Sequence, residues 1–295
     1  PSSVPPCLRG ATHLKIAFYI TGHGFGHATR MIAVMNALAE RDPSVDLSIR
    51  TMVPEWLFAR NVHARFTCVP VRVDVGIVQQ DTLHPQPLET LQETTRLHRE
   101  RARIMADEAA ALRAEAIRLV VADIPPLAFP IAVAAGVPGV GISNFGWDWM
   151  YAAYVGQLPA FAAVLAEIRK AHAMADLLLR LPFHGDVSSF PRIEDIPLVV
   201  RRQTRSREEV RALLGLPDDQ PAVLITFGGM ELQGLNLDPL RDSRDRTYLS
   251  TLPGTQGGSI RLVSLDTVPF QDLVGAADAV VTKPGYGIVS ECIAY

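Results

Sequence analysis

One junction recurs along this chain and limits what it can fold into. A short apolar run rich in β-branched and aromatic residues stops at glycines, and a pattern of helical period follows. The first case is Lys15–Thr21 (KIAFYIT), which ends in Gly22-His23-Gly24-Phe25-Gly26-His27. Beyond it Met31, Val34, Met35 and Leu38 fall at i, i+3, i+4 and i+7, one face of a helix. Val45–Met52 reads as the next strand. Apolar runs with no polar alternation suit strands buried on both faces, as in parallel sheets. Strand, glycine turn, helix and strand together open an α/β unit.

The pattern continues. Glu89–Arg118 reads as one long helix, with Leu91, His98, Met105 and Leu112 seven residues apart. Leu119–Ala122 reads as a strand stopped at Asp123-Ile-Pro-Pro, Pro130–Ala135 as a short helix and Val137–Ile142 as a strand. Phe161, Val164, Leu165 and Ile168 mark a helix, and Leu177–Leu181 a strand. Near residue 200 the composition turns charged, and Ser206 with Glu209 forms a capping box. A second series follows: strands at Ala222–Phe227, Ile260–Leu265 and Ala279–Thr282, the first ending in Gly228-Gly229 and the last in Lys283-Pro-Gly. The stretch 231–258 has no decisive pattern. The expected organisation is a disordered lead-in at 1–14, a Rossmann-like domain at 15–200 and a second at 201–295.

Charge and cysteine content narrow the function classes. A net charge of −3 leaves no basic footprint, so a nucleic-acid partner is not expected. The 3 cysteines, Cys7, Cys68 and Cys292, form no metal knuckle or disulfide framework, which fits a reducing, cytoplasmic compartment. The longest apolar region, Leu119–Ile142, is broken by Asp123 and prolines and does not read as a membrane span.

Four segments could carry chemistry. The opening loop is neither a Walker loop nor a dinucleotide fingerprint. Gly22, Gly24 and Gly26 still allow a backbone to approach a ligand. His23 and His27 supply groups that take a proton near neutral pH. The same residues also suit a plain strand-to-helix turn, and as an i, i+4 pair they would need a third ligand to hold a metal. Asp123, at a strand end, can orient a histidine or cap a turn. Ser143–Tyr154 (SNFGWDWMYAAY) offers Asn144, Trp147 and Asp148 to an amphipathic ligand, or buries its rings. Thr282–Tyr295 (TKPGYGIVSECIAY) opens a helix at Gly285 and Gly287, an anion site by its free N–H groups and dipole.

These segments resemble GT-B glycosyltransferases. YITGHGFGHATR, ADIPPLAFPIAVAAGVPGVGISNFGWDW, VLITFGG and VVTKPGYGIVSE are similar in particular to the glycosyltransferase-like N-terminal region of the L-arabinokinases and their stand-alone bacterial relatives. The resemblance implies a GT-B-like α/β fold of two Rossmann-like domains, the C-terminal one shortened. It implies transfer of a sugar from a nucleotide-diphosphate donor to a hydroxyl acceptor, with inversion. His23 or His27 would be the base, with Asp123 as partner. Gly228, Gly229, Lys283, Gly285, Gly287, Ser290 and Glu291 would bind the donor, Glu291 at its ribose. Gly22, Gly24, Gly26, Asn144, Trp147 and Asp148 would lie on the acceptor side. With no D-x-D pattern, no metal and no separate cofactor are expected. No sugar-kinase phosphate loop is present, so kinase activity does not carry over. Two rivals stay open: a sensor that binds a nucleotide sugar without turnover, and an epimerase or hydrolase on the same fold.

Overall fold

The computed structural model describes residues 14–81, 83–217, 219–227 and 235–295. Gly228 and Gly229 therefore lie outside the described residues, as do Cys7 and most of the expected lead-in. The elements run β1 (Lys15–Ile20), α1 (Phe25–Arg41), β2 (Asp46–Thr51), α2 (Glu55–Asn61), β3 (Arg65–Pro70), β4 (Gln79–Asp81), β5 (His84–Pro85) and α3 (Pro87–Ala114). They continue with β6 (Leu119–Asp123), α4 (Ala128–Ala135), β7 (Gly139–Ser143), α5 (Trp147–Ala152), α6 (Phe161–His172), β8 (Leu177–Arg180) and β9 (Ile193–Asp195). The last group is α7 (Arg207–Leu213), β10 (Ala222–Thr226), β11 (Thr247–Ser250), β12 (Ile260–Leu262), α8 (Phe270–Ala276), β13 (Ala279–Thr282) and α9 (Tyr286–Ala294).

Backbone contacts divide the chain into two compact units. Of the described residues, the first holds 14–21, Val34–Asp74 and Thr94–Ile196. The second holds Gly22–Ala33, Val75–Glu93 and Pro197–Tyr295. Each carries a parallel sheet.

In the first unit the strand order is β3-β2-β1-β6-β7-β8-β9, all parallel. The order reverses direction between β1 and β6, the topological switch point at which open α/β sheets take ligands. The register pairs Ile20 with Asp123, and the Thr21 N–H donates to the Asp123 carbonyl at 3.0 Å. Asp123 thus sits where the chain leaves β1 for its glycine turn. Phe129, Ile131, Val120, Leu178 and Leu112 are among the side chains that form the core on this sheet.

A polar network ties α3 to the same sheet. Arg50 of β2, 1% exposed, donates to Glu108 at 2.8 Å and also to Glu115. Tyr19 donates its hydroxyl to Glu108 at 2.7 Å, and Ser48 to Glu115 at 2.9 Å. Burial and the Glu108 charge push the Tyr19 phenol far above its usual range. A buried cation is tolerated here because two carboxylates and their hydrogen bonds offset its desolvation.

The second unit's sheet runs β12-β11-β10-β13, again all parallel, with its switch point between β10 and β13. Thr226 and Thr282 are register partners there. Leu224, Leu249, Val263, Val268, Leu273 and Val210 form its core. The capping box that opens α7 is formed in both directions: Ser206 Oγ accepts from the Glu209 N–H at 3.2 Å, and Glu209 accepts from the Ser206 N–H at 2.8 Å.

Candidate functional site

Within the second unit the chain brings two helix N-termini together, those of α1 and α9. Both follow glycines. Gly24, at φ +76, turns the chain into α1, and its N–H donates to the Gly22 carbonyl at 3.0 Å. Gly285 is the N-cap of α9 and, as a glycine, supplies no side-chain cap. A helix start of this kind presents several backbone N–H groups and the positive end of the dipole. Gly287 lies close to α1: a Cβ there would stand 4.0 Å from the Gly26 carbonyl oxygen.

His23 has a built environment. Gly76, at φ +68, runs directly against it: a Cβ on Gly76 would lie 2.6 Å from the histidine Cβ and 2.9 Å from Nδ1. The Ile77 N–H points at His23 Nδ1 at 3.4 Å. Burial, then the nearby His27 and Lys283, lower the His23 pKa to about 4. The ring is therefore neutral at pH 7. Because a backbone N–H can only donate, Nδ1 accepts and the ring proton belongs on Nε2.

His27 and Arg30 form a second group on α1. Arg30 Nη2 donates to His27 Nδ1 at 3.2 Å, since a guanidinium has no acceptor to offer. The same guanidinium, on a residue 4% exposed, lies over the Tyr286 ring at 4.8 Å from its centre. Tyr286 opens α9, so a cation–π contact links the two helix starts.

Further along α9, Glu291 is 3% exposed and held by Arg201 in a two-pronged ion pair of 2.7 and 3.0 Å. Any ribose hydroxyl would share that carboxylate with Arg201. Ser290 is fully buried, and its hydroxyl has no hydrogen-bond partner among the described residues. Lys283 and Gly285 lie between β13 and α9.

The remaining expected site residues belong to the first unit. Asp123 is buried at the end of β6. Trp147, 1% exposed, stacks on Tyr151 and donates its indole N–H to Asp74 at 2.9 Å. Asp148 is buried, accepts from Arg169 at 3.3 Å and lies 3.5 Å from His172 Nδ1. The Asn144 carbonyl accepts from the Gly185 N–H at 2.8 Å. Of the aromatic rings in this segment, Trp149 is the exposed one, at 45%, laid against Gly185.

Sequence reasoning did not single out Arg30, Gly76, Tyr286 or Arg201. Arg30 was legible in principle, being one helical turn beyond His27 on the same face. Gly76 and Arg201 had no local signal, because their partners are distant in sequence. Among the described residues no group of three or more His, Cys, Asp or Glu side chains could hold a metal ion. No helix among them is long and apolar enough to cross a membrane.

Comparison with known proteins places this arrangement. No family model matches the chain. It is 34% identical to an L-arabinokinase of Arabidopsis thaliana over 294 residues, which is 96% of this chain and 27% of that protein. It is 26% identical over 199 residues to an uncharacterized glycosyltransferase of Methanopyrus kandleri, across 61% of this chain and 55% of that one. The chain thus spans about a quarter and about half of these two relatives. Among solved structures it is similar to a UGT transferase of Siraitia grosvenorii in complex with UDP, with a TM-score of 0.54 and 14% identity over 94% of this chain and 79% of that one. It is also similar to the glycosyltransferase VinC in complex with dTDP, with a TM-score of 0.56 and 15% identity over 95% and 78% of the two chains. With two parallel-sheet units and these neighbours, the chain has the fold of the GT-B glycosyltransferases and is related in sequence to the L-arabinokinases.

Proposed function

We propose that this chain transfers a sugar from a nucleotide-diphosphate donor to a hydroxyl acceptor, with inversion and without a metal. The observation that carries the reading is the meeting of the α1 and α9 starts, with Arg30 over Tyr286 and Gly26 beside Gly287. Two solved relatives in fold are described as complexes with UDP and dTDP, which supports a diphosphate ligand.

In the reaction a base takes the proton of the acceptor hydroxyl, and the freed oxygen attacks the anomeric carbon. The bond from that carbon to the diphosphate oxygen breaks, and the nucleoside diphosphate leaves with the electron pair. The α9 N–H groups and dipole stabilise the leaving charge, with Lys283 nearby and Gly285 and Gly287 allowing close approach. Gly228 and Gly229 are assigned to the same diphosphate from sequence. Ser290 and Glu291 complete the donor side. His23 or His27 is the base, with Asp123 as its partner. Gly22, Gly24, Gly26, Asn144, Trp147 and Asp148 are assigned to the acceptor side, Trp147 and Asp148 through the packing they maintain. The compartment proposed is the cytoplasm.

One observation favours a second reading, binding without turnover. Both imidazoles accept at Nδ1, from the Ile77 N–H and from Arg30, so each carries its neutral-state proton on Nε2. A base acting at Nε2 must first give up that contact and exchange tautomer. The discriminating experiment incubates the protein with radiolabelled nucleotide-diphosphate sugars, with and without a panel of hydroxyl acceptors. Sugar transfer supports the proposal. Saturable binding with no donor loss overturns it in favour of a sensor, and donor loss without an acceptor points to hydrolysis or epimerisation.

A further inference from the structure

Among the described residues the two parallel sheets have β3 and β9 as outer strands in the first unit, and β12 and β13 in the second. An outer strand offers a row of N–H and C=O groups to any other strand, and charges or proline on it discourage that pairing. β3, β9 and β12 are guarded in this way. β3 begins at Arg65 and ends at Pro70, and β9 carries Glu194 and Asp195. β12 carries Arg261, whose guanidinium donates to the Gly215 carbonyl at 3.0 Å. β13 differs: it reads Ala279-Val-Val-Thr282, with no charge and no proline, and Val281 is 50% exposed. Its open side has a defined parity. The Asp278 N–H donates to the Ala222 carbonyl of β10 at 2.8 Å. Alternate residues face β10, so the N–H and C=O groups of Ala279 and Val281 turn away from it.

From this geometry we infer that the β13 edge is a self-association surface, whose partner is β13 of a second copy of this chain, paired antiparallel across a two-fold axis at Val280. Ala279 then faces Val281 of the other copy, and each such pair exchanges both of its hydrogen bonds. The two-fold axis closes the assembly at a dimer. Charge selects this orientation. At the Asp278 end of the strand one hollow is lined by Arg207, Arg211, Glu208, Asp219 and Asp278, which leaves a negative excess. At the other end stand Lys283, just beyond the strand, and Arg30, over the ring of Tyr286. Antiparallel pairing sets these unlike ends together, whereas parallel pairing would set like ends together. The pairing needs no ligand and is independent of the transfer reaction.

Sedimentation velocity of the whole chain, from micromolar to millimolar concentration, reads the assembly. Wild type is expected to pass with concentration from the mass of one chain, 32.2 kDa, to that of two. Val281→Pro removes an outward N–H and none that bonds to β10. It is expected to weaken the dimer about 10- to 30-fold, the worth of one hydrogen bond lost from each copy. Val281→Lys puts a cation on each edge and is expected to weaken it at least as much. Circular dichroism checks that both variants are folded. Val280→Cys stands on the two-fold axis, where facing residues are close enough for a disulfide. It is expected to cross-link two chains under mild oxidation above the level that wild type reaches with its own cysteines, and it decides the matter if either Val281 variant unfolds. Wild type at the mass of one chain throughout overturns the inference and leaves the edge to a strand other than a second copy. A dimer untouched by both folded Val281 variants overturns it by placing the contact on another surface. No added cross-link in Val280→Cys overturns the two-fold at that residue.

Discussion

The two glycine turns, GHGFGH before α1 and KPGYG before α9, look alike in sequence and differ in what surrounds them. The first is walled by backbone: Gly76 packs on His23 so closely that no side chain fits, and the imidazole is kept neutral. The second is surrounded by side chains with bonding capacity, the unpartnered Tyr286 and Ser290 hydroxyls and the Arg201–Glu291 pair deeper in the helix. The first turn thus holds a neutral imidazole whose Nδ1 already accepts from the Ile77 N–H. A helix start with unused donors suits an anion. The same strand-glycine-helix grammar therefore makes two chemically different half-sites.

The largest expected effect separates the histidines of the first turn. Replacing the one that acts as base by alanine removes about 10²- to 10⁴-fold of transfer rate, while the other loses far less. Single-turnover kinetics of His23→Ala and His27→Ala decide between them. Full activity in both variants would break the assignment of a base to this turn.

Next is the ion pair of the second turn. Arg201→Ala leaves Glu291 buried and uncompensated, and is expected to lower stability by about 3 kcal/mol at neutral pH. Chemical denaturation measures it. A change below about 0.5 kcal/mol, the size expected of an exposed pair, would show that the carboxylate is solvated.

The acid limb of stability tests the first turn again. His23 has a folded pKa of about 4 against an ordinary 6.5, so the unfolded chain binds its proton first as pH falls. Its contribution is fully present above about pH 6.5 and is lost as pH drops toward 4, on the order of 3 kcal/mol in all. His172 in the first unit, also lowered to about 4 by burial, adds a parallel loss. Comparing wild type with His23→Gln between pH 7 and 4 isolates the first contribution. Identical pH slopes would mean that the ring is solvated.

The smallest effect is Gly76→Ala. The residue has φ +68 and would push a methyl into His23, so a loss of about 1–3 kcal/mol is expected, with transfer activity falling alongside stability. Thermal unfolding and activity are measured together. Loss of stability with unchanged activity would uncouple the wall from the histidine.

Much of the fold was legible because its signals are local. β1, β6, β7, β8, β10 and β13 are marked by largely apolar runs, β2 by apolar residues alternating with polar ones, and α7 by its capping box. The first start of α4 was placed two residues late, at Pro130, because proline suits a helix's opening turn but does not define its first residue. β3, β9, β11 and α8 were not read. β11 (TYLS) is only 4 residues long and lies in a polar stretch. It becomes a strand because β10 and β12 pair with it on either side, which no local pattern reports. The segment Trp147–Ala152 proved to be a helix whose buried face holds Trp147, Asp148 and Tyr151.

The candidate site divides in the same way. Which residue types stand at strand ends was plain from sequence, since glycine, histidine and a helix start follow one another along the chain. The sequence by itself determined the α/β class, the parallel character of the strands and the two glycine junctions, because hydrophobic period and turn chemistry act over a few residues. Only the tertiary structure decided that His23 is neutral, that Arg201 occupies Glu291 and that Arg30 bridges to Tyr286. Each depends on desolvation and contact between residues tens to hundreds of positions apart, and those energies exist only once the chain has closed on itself.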